Sequence, residues 1–327
     1  WVFMIRITFL GTAASRPTVG RNVSGLCVQR EGDLMLFDCG EGTQRQMMRF
    51  GTGFGIQAIF VTHLHADHFL GIIGLLRTMA LQGRVDPMQI WGPPGGKNIL
   101  LAAVHLGVDR IPFPVQVQEV IPGEAISFGE YAVVPFPTKH GTSSVGYALR
   151  EHPRLGRFDV DRARALGIPE GRLFGRLHRG ESVEVEGRTI HPEEVVGEPR
   201  PGRLVVYTGD TRPSPDTIKA SKGADLLIHE ATFSEEEAER AFETFHSTAR
   251  GAAVLAEEAQ VQRLLLTHVS ARYSEDPGPL IEEGKSAFPR TGVAHDGMTV
   301  EIGYRQDSDT GEAPGKSGPE SSGESGS

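Results

Sequence analysis

Apolar residues in this chain fall into short runs separated by polar breaks. The runs "IRITFL", "LCVQR", "LMLFDCG", "AIFVTH", "QIWG", "YAVVPF", "SVGYALR", "LVVYTGD", "LLIHEATF", "LLLTHVS" and "MTVEIG" are short and β-branched or apolar, and many are ended by Gly, Pro, Asp or His. That length and composition predict strands. Between some of them the apolar spacing turns helical, over 41–50, 69–80, 96–106, 213–221, 234–243, 248–260 and 279–288. Strands interleaved with helices predict a layered α/β domain.

Two segments depart from this rhythm. Residues 150–203 are rich in Arg, Gly, Pro and Glu and separate two strong strand patterns. They read as an insertion that protrudes from the body. Residues 305–327 hold almost nothing apolar and read as a disordered tail. Met4 reads as the natural start, which sets the folded domain at 4–304.

Composition narrows the class. The chain has 327 residues, 39% of them hydrophobic and 23% charged, which suits a globular body. No run approaches the roughly 18 uninterrupted apolar residues that a membrane helix needs. Cys27 and Cys39 make no disulfide framework and suit a reducing cytoplasm. The net charge of −9 argues against an unspecialised nucleic-acid binder, but the tail carries about half of it.

The stretch "VTHLHADHFLGIIGL" places His63, His65, Asp67 and His68 at the end of one apolar run and the start of the next. A single histidine there would be a polar loop residue, and Asp67-His68 reads as a cap for the helix beginning near Phe69. Three imidazoles and a carboxylate in six positions instead match the ligands that zinc accepts outside cysteine sites. Other strand ends supply further candidates: His140 in "PTKHGTSS", Asp210 in "VVYTGDTRP" and His268 in "LLLTHVSARY". Each lies where α/β sheets collect ligands.

With "THLHADHFLGIIGLL", "FDCGEGTQRQM", "YTGDTRP", "IHEATF", "FHSTARGAA" and "LTHVSARY", the chain resembles the metallo-β-lactamase superfamily, and within it the ribonuclease Z family, from about Ile5 to Ile302. The resemblance implies a four-layer αββα sandwich with a protruding arm. It implies two Zn2+ ions per subunit: His63, His65 and His140 on one, Asp67, His68 and His268 on the other, Asp210 between them. It further implies that Asp67 acts as general base and that His246, oriented by Glu230, protonates the leaving oxygen. On residue type alone, His246 and Glu230 serve equally well as supports for the metal ligands.

The family's activity is removal of the 3′ trailer from precursor tRNA, by a homodimer in which one subunit's arm presents tRNA to the other's site. The candidate RNA contacts are Thr43, Gln44 and Arg45 at a helix start, Arg21 and Asn22 in "ASRPTVGRNVS", and Arg172, Arg176, His178 and Arg179 in "GRLFGRLHRG". Val19 stands where the family has Lys, Arg172 where it has Pro, and His178 where it has Lys. From Arg150 to Arg179 there are eight Arg against four acids, a local +4 suited to phosphate. A small-ester hydrolase or another phosphodiesterase of the superfamily is the rival reading; it has no need of this insertion. A nuclease with a large domain inserted before its last histidine is excluded, because Asp210 and His268 are only 58 positions apart.

Overall fold

The computed structural model describes residues 4–108 and 110–305; the tail expected beyond Arg305 lies outside them. Sixteen strands run in chain order among the described residues. The first six are β1 (Ile5–Gly11), β2 (Gly25–Arg30), β3 (Asp33–Cys39), β4 (Ala58–Phe60), β5 (Met88–Gly92) and β6 (Val115–Glu119). Next come β7 (Ile126–Ser127), β8 (Tyr131–Pro137), β9 (Val145–Glu151), β10 (Val183–Val185) and β11 (Arg188–Ile190). The last are β12 (Leu204–Tyr207), β13 (Leu226–Glu230), β14 (Leu264–Thr267), β15 (Thr291–Val293) and β16 (Thr299–Ile302). One seven-stranded sheet has the order β16-β1-β2-β3-β4-β5-β6, and a second has β15-β14-β13-β12-β9-β8-β7.

Strand alternation explains the layers. In β3, Met35 and Phe37 point to the other sheet, while Leu34 and Leu36 point to the outside helices. Both faces are apolar because both are covered. The space between the sheets is filled by Ile5, Ile7, Phe9, Phe37, Phe60, Tyr131, Tyr147 and Leu226, among others. Outside the first sheet lie α1 (Thr43–Phe50), α2 (Ala66–Phe69), α3 (Gly71–Leu81) and α4 (Lys97–Val104). Helices α5 (Val160–Ala165) and α6 (Arg172–His178) belong to the insertion. Outside the second sheet lie α7 (Pro215–Ser221), α9 (Ala249–Glu258) and α10 (Gly278–Ala287), with α8 (Ala238–Glu243) between α7 and α9 in the chain. The order helix, sheet, sheet, helix is the αββα sandwich. In α9 the small residues Ala249, Ala252, Ala253 and Ala256 form the buried stripe, which lets that helix lie close on the second sheet.

The insertion leaves the second sheet after β9 and returns at β12. Those two strands pair directly, with Arg150 opposite Leu204. Its legs run antiparallel, with bridges Arg154 to Arg200 and Phe158 to Val196. Its core of Ala163, Ile168, Leu177, Val183, Ile190 and Val195 is separate from that of the body.

Two expectations need correction. Asp67 and His68 do not cap the following helix; they sit inside the single turn α2, because the chain turns at His65 and again at Leu70. Arg305 is not loose: its Nε donates to Asp225 Oδ1 at 2.6 Å.

Candidate metal centre

Every expected metal ligand lies at or just past the carboxyl end of a strand, or in the turn that follows. His63 follows β4, His140 follows β8, Asp210 follows β12 and His268 follows β14. The two sheets bring these ends to one edge of the sandwich. Gly209 fixes the approach of Asp210: its φ is 59°, and a Cβ there would lie 2.7 Å from that of Thr62. Only glycine combines that conformation with that closeness. His268 itself has φ 54°, left-handed for a residue with a side chain.

The ring nitrogens converge. His63 Nε2 and His140 Nε2 lie 3.1 and 3.2 Å from His65 Nδ1. His63, His65, His140 and Asp210 form one compact donor group, and Asp67, His68 and His268 form another. Asp210 Oδ2 is 3.5 Å from His63 Nε2, 3.4 Å from His68 Nε2 and 3.3 Å from His268 Nε2. It therefore faces both groups.

The nitrogens on the far sides of these rings are tied back. His68 Nδ1 bonds Asp38 Oδ2 at 2.7 Å, His140 Nδ1 donates to the Phe245 carbonyl at 3.1 Å, and His268 Nδ1 lies 2.9 Å from Thr232 Oγ1. That arrangement turns the inward nitrogen of each ring, lone pair forward, to the shared centre. Asp38 also accepts from Thr62 N and Oγ1 and from the Tyr207 hydroxyl.

Charge states agree with this geometry. Burial, with neighbouring imidazoles, pushes His63 well below its ordinary value; burial also lowers His140. Burial works against ionised Asp210 and Asp67, yet the surrounding histidines hold both well below the carboxylate range. Burial opposes protonation of His68 too, but Asp210 and Asp38 raise it. Imidazoles and ionised carboxylates converging in this way form the donor set of a divalent cation such as zinc, whose binding would displace the proton that His68 holds. Asp210 Oδ1 is buried without a hydrogen-bond partner, which a cation would remedy.

Beside the centre, His246 Nδ1 lies 2.7 Å from Glu230 Oε1. Burial works against the imidazolium, but Glu230 overrides it and lifts His246 to about 9. Glu230 is fully enclosed and accepts from Thr211 N, Thr232 N and Thr232 Oγ1. His246 and Phe233 line a cavity of about 510 Å³, with Arg16, Arg240 and Arg272 at its wall.

The expected RNA contacts divide. Arg45 and Arg172 are exposed, and Gln44 is half-buried. Arg179 is exposed, with Glu181 3.6 Å away. Arg176 donates to Glu181 at 2.9 Å. Both are surface pairs of little net strength. Arg21 does not reach the surface: it is 6% exposed and donates to Thr12 Oγ1 and the Ala294 carbonyl. Thr43 is buried and donates to the Gly40 carbonyl, and Asn22 Nδ2 donates to that of Glu41. His178 Nε2 donates to the Gly156 carbonyl, inside the base of the insertion. These four side chains hold loops in place.

Asp38, Thr62, Tyr207 and Thr232 had no role in the sequence reading. Asp38 carried one usable signal: a lone carboxylate ending the apolar run "LMLF".

The family model described as Beta-lactamase superfamily domain matches residues 34–158 and 187–269, leaving out most of the insertion's tip. The chain is 53% identical to Ribonuclease Z of Myxococcus xanthus, across 92% of this chain and 99% of that protein. It is 54% identical to Ribonuclease Z of Haloferax volcanii, across 94% of this chain and 98% of that protein. Among solved structures it is similar to human tRNase Z, short form, at 28% identity and TM-score 0.66, across 90% of this chain and 98% of that one.

Proposed function

Because the chain belongs to the ribonuclease Z family of the metallo-β-lactamase superfamily, we propose that it is a two-zinc endoribonuclease that removes the 3′ trailer from precursor tRNA. The observation that carries this reading is a complete set of seven converging donors in a chain more than half identical to named ribonucleases Z over nearly its whole length.

His63, His65 and His140 would hold one ion, Asp67, His68 and His268 the other, with Asp210 shared. When bound, such ions supply Lewis acidity toward the phosphate and lower the pKa of water toward neutrality. Asp67 orients the attacking water and takes its proton. The water oxygen joins phosphorus, and the bond from phosphorus to the tRNA 3′-oxygen breaks. His246, whose Nδ1 is held by Glu230, gives the proton at Nε2 to that departing oxygen. The products are a 3′-hydroxyl on the tRNA and a 5′-phosphate on the trailer. Glu230 then faces a neutral imidazole and favours its reprotonation.

The insertion is the substrate-binding arm in this reading. Its exposed arginines suit phosphates, and its contacts with acids are surface pairs that phosphate can displace. The protein works as a homodimer in which each arm serves the partner's site. It works in the cytoplasm, in keeping with the free, buried Cys27 and Cys39. Among the described residues, no helix is long and apolar enough to cross a membrane.

The test is to incubate zinc-loaded protein with a precursor tRNA and, separately, with a small phosphodiester, then sequence the RNA ends. One cut at the trailer junction with the stated end groups supports the proposal. Turnover of the small diester with intact precursor would replace it with the phosphodiesterase reading.

A further inference from the structure

The end of the described chain meets the root of the arm. Arg154 lies just past β9 on the outgoing leg, and Arg203 just before β12 on the returning leg. The legs are stitched by Arg154 N donating to the Arg200 carbonyl at 2.8 Å and Arg200 N donating back at 2.9 Å. Tyr304 lies against both: the guanidinium carbons of Arg154 and Arg203 are 3.5 and 4.1 Å from its ring centroid. Both distances fall within cation–π range. Arg154 Nε is buried with no hydrogen-bond partner, so the ring face is a principal contact for that side chain.

Tyr304 follows β16, an edge strand of the opposite sheet. Its neighbours reinforce the junction. Arg203 Nη1 donates to the Ile302 carbonyl at 2.8 Å, and Arg305 bonds Asp225, whose Oδ2 accepts from Leu204 N. The first sheet thus grips the place where the arm leaves the second.

We propose that Tyr304 is a positioning residue for the cleavage reaction: by packing on Arg154 and Arg203 it sets the direction in which the arm leaves the body, and hence where arm-bound RNA meets a metal centre. This rests on the arm's role as the RNA-binding element. An arm rooted in two chain crossings and carrying its own core takes its angle from contacts at that root. A stiff root lets binding at a distance be spent on placing the scissile phosphate.

The test uses the full zinc-loaded protein with Y304A, Y304L and Y304F. Hydrogen exchange should quicken in Y304A and Y304L at the stem amides of Arg154 and Arg200. Their kcat for precursor tRNA should fall by roughly tenfold while KM stays within about twofold, because the arm still binds but presents the phosphate loosely. Y304F should match the parent in both, and small-diester hydrolysis should be unchanged in all three. The proposal is overturned if Y304L behaves like the parent, because the ring is then not needed. It is equally overturned if small-diester turnover falls in step with precursor cleavage, or if the stem loosens with no change in kcat for the precursor. Stem exchange is read without RNA, so it stands apart from the arm's role, which is judged separately by removing the arm.

Discussion

Asp38 Oδ2 lies 2.7 Å from His68 Nδ1, with both side chains sealed from solvent. The carboxylate fixes which His68 nitrogen faces the shared centre and makes that nitrogen a better donor. Asp38→Asn keeps the shape and removes the charge. Zinc affinity should fall by about 10–100-fold, measured by competition with a chromophoric chelator. An affinity equal to that of the parent would show that a hydrogen bond to His68 without the charge suffices to hold the ring.

Metal content follows from the donor count. Protein purified without chelator should carry two zinc ions per chain by elemental analysis. Full activity with well under one transition metal per chain would sink the mechanism.

Asp67→Ala separates chemistry from binding. Turnover of precursor tRNA should drop by at least about 10²–10⁴-fold, because the general base and a metal ligand go together. Precursor affinity should persist, since the arm is untouched. Asp67 also accepts from Ser15 N at 2.8 Å, so a circular dichroism check belongs with the assay. Equal loss of affinity and turnover would mean that Asp67 acts through that loop.

Replacing Gly156–Glu198 by a short Gly-Ser linker should leave the body folded, because β9 and β12 pair whatever joins them. Small-diester hydrolysis should be largely retained. Precursor binding should collapse and its salt dependence flatten, each lost phosphate contact removing a slope of roughly 0.7–0.9. Parental binding with an unchanged slope would move the RNA contacts to Arg45 and the arginine-walled cavity beside His246.

Glu151 sets a pH dependence of stability. It accepts from Arg203 Nη2 at 2.6 Å and from Arg30 Nε at 2.8 Å, and Arg203 is 1% exposed. Burial favours the neutral acid, but the two guanidiniums override it and hold the carboxyl below its usual range. The folded state then binds fewer protons than the unfolded one as pH approaches the carboxylate range. The stabilisation is present above about pH 4.3 and drains away as pH falls further. Glu151→Ala should cost about 3–5 kcal/mol at neutral pH. Urea midpoints of parent and variant should draw together below about pH 4; a constant gap would assign the loss to packing.

The sheets, the outer helices and the donor cluster were legible in the sequence because each depends on local pattern. Apolar runs ending in His or Asp announce both a strand and what sits at its tip. Strand β6, "VQVQE", escaped because a half-exposed strand carries few apolar residues. Helices α5 and α6 escaped because Arg and Gly dilute their apolar spacing. The internal hydrogen bonds of Arg21, Thr43 and Asn22 were not legible for a different reason. Residue type does not reveal whether a polar group faces RNA or a backbone carbonyl, and Arg21 reaches one 273 positions away.

The insertion with its own small core has a consequence for how such a protein changes over time. The catalytic body and the arm meet at a root where β9 pairs with β12 and Tyr304 packs on Arg154 and Arg203. A lengthened, shortened or recharged arm therefore leaves the metal ligands where they are. Substrate range and chemical power sit in separately heritable parcels, so a lineage can redraft one without putting the other at risk.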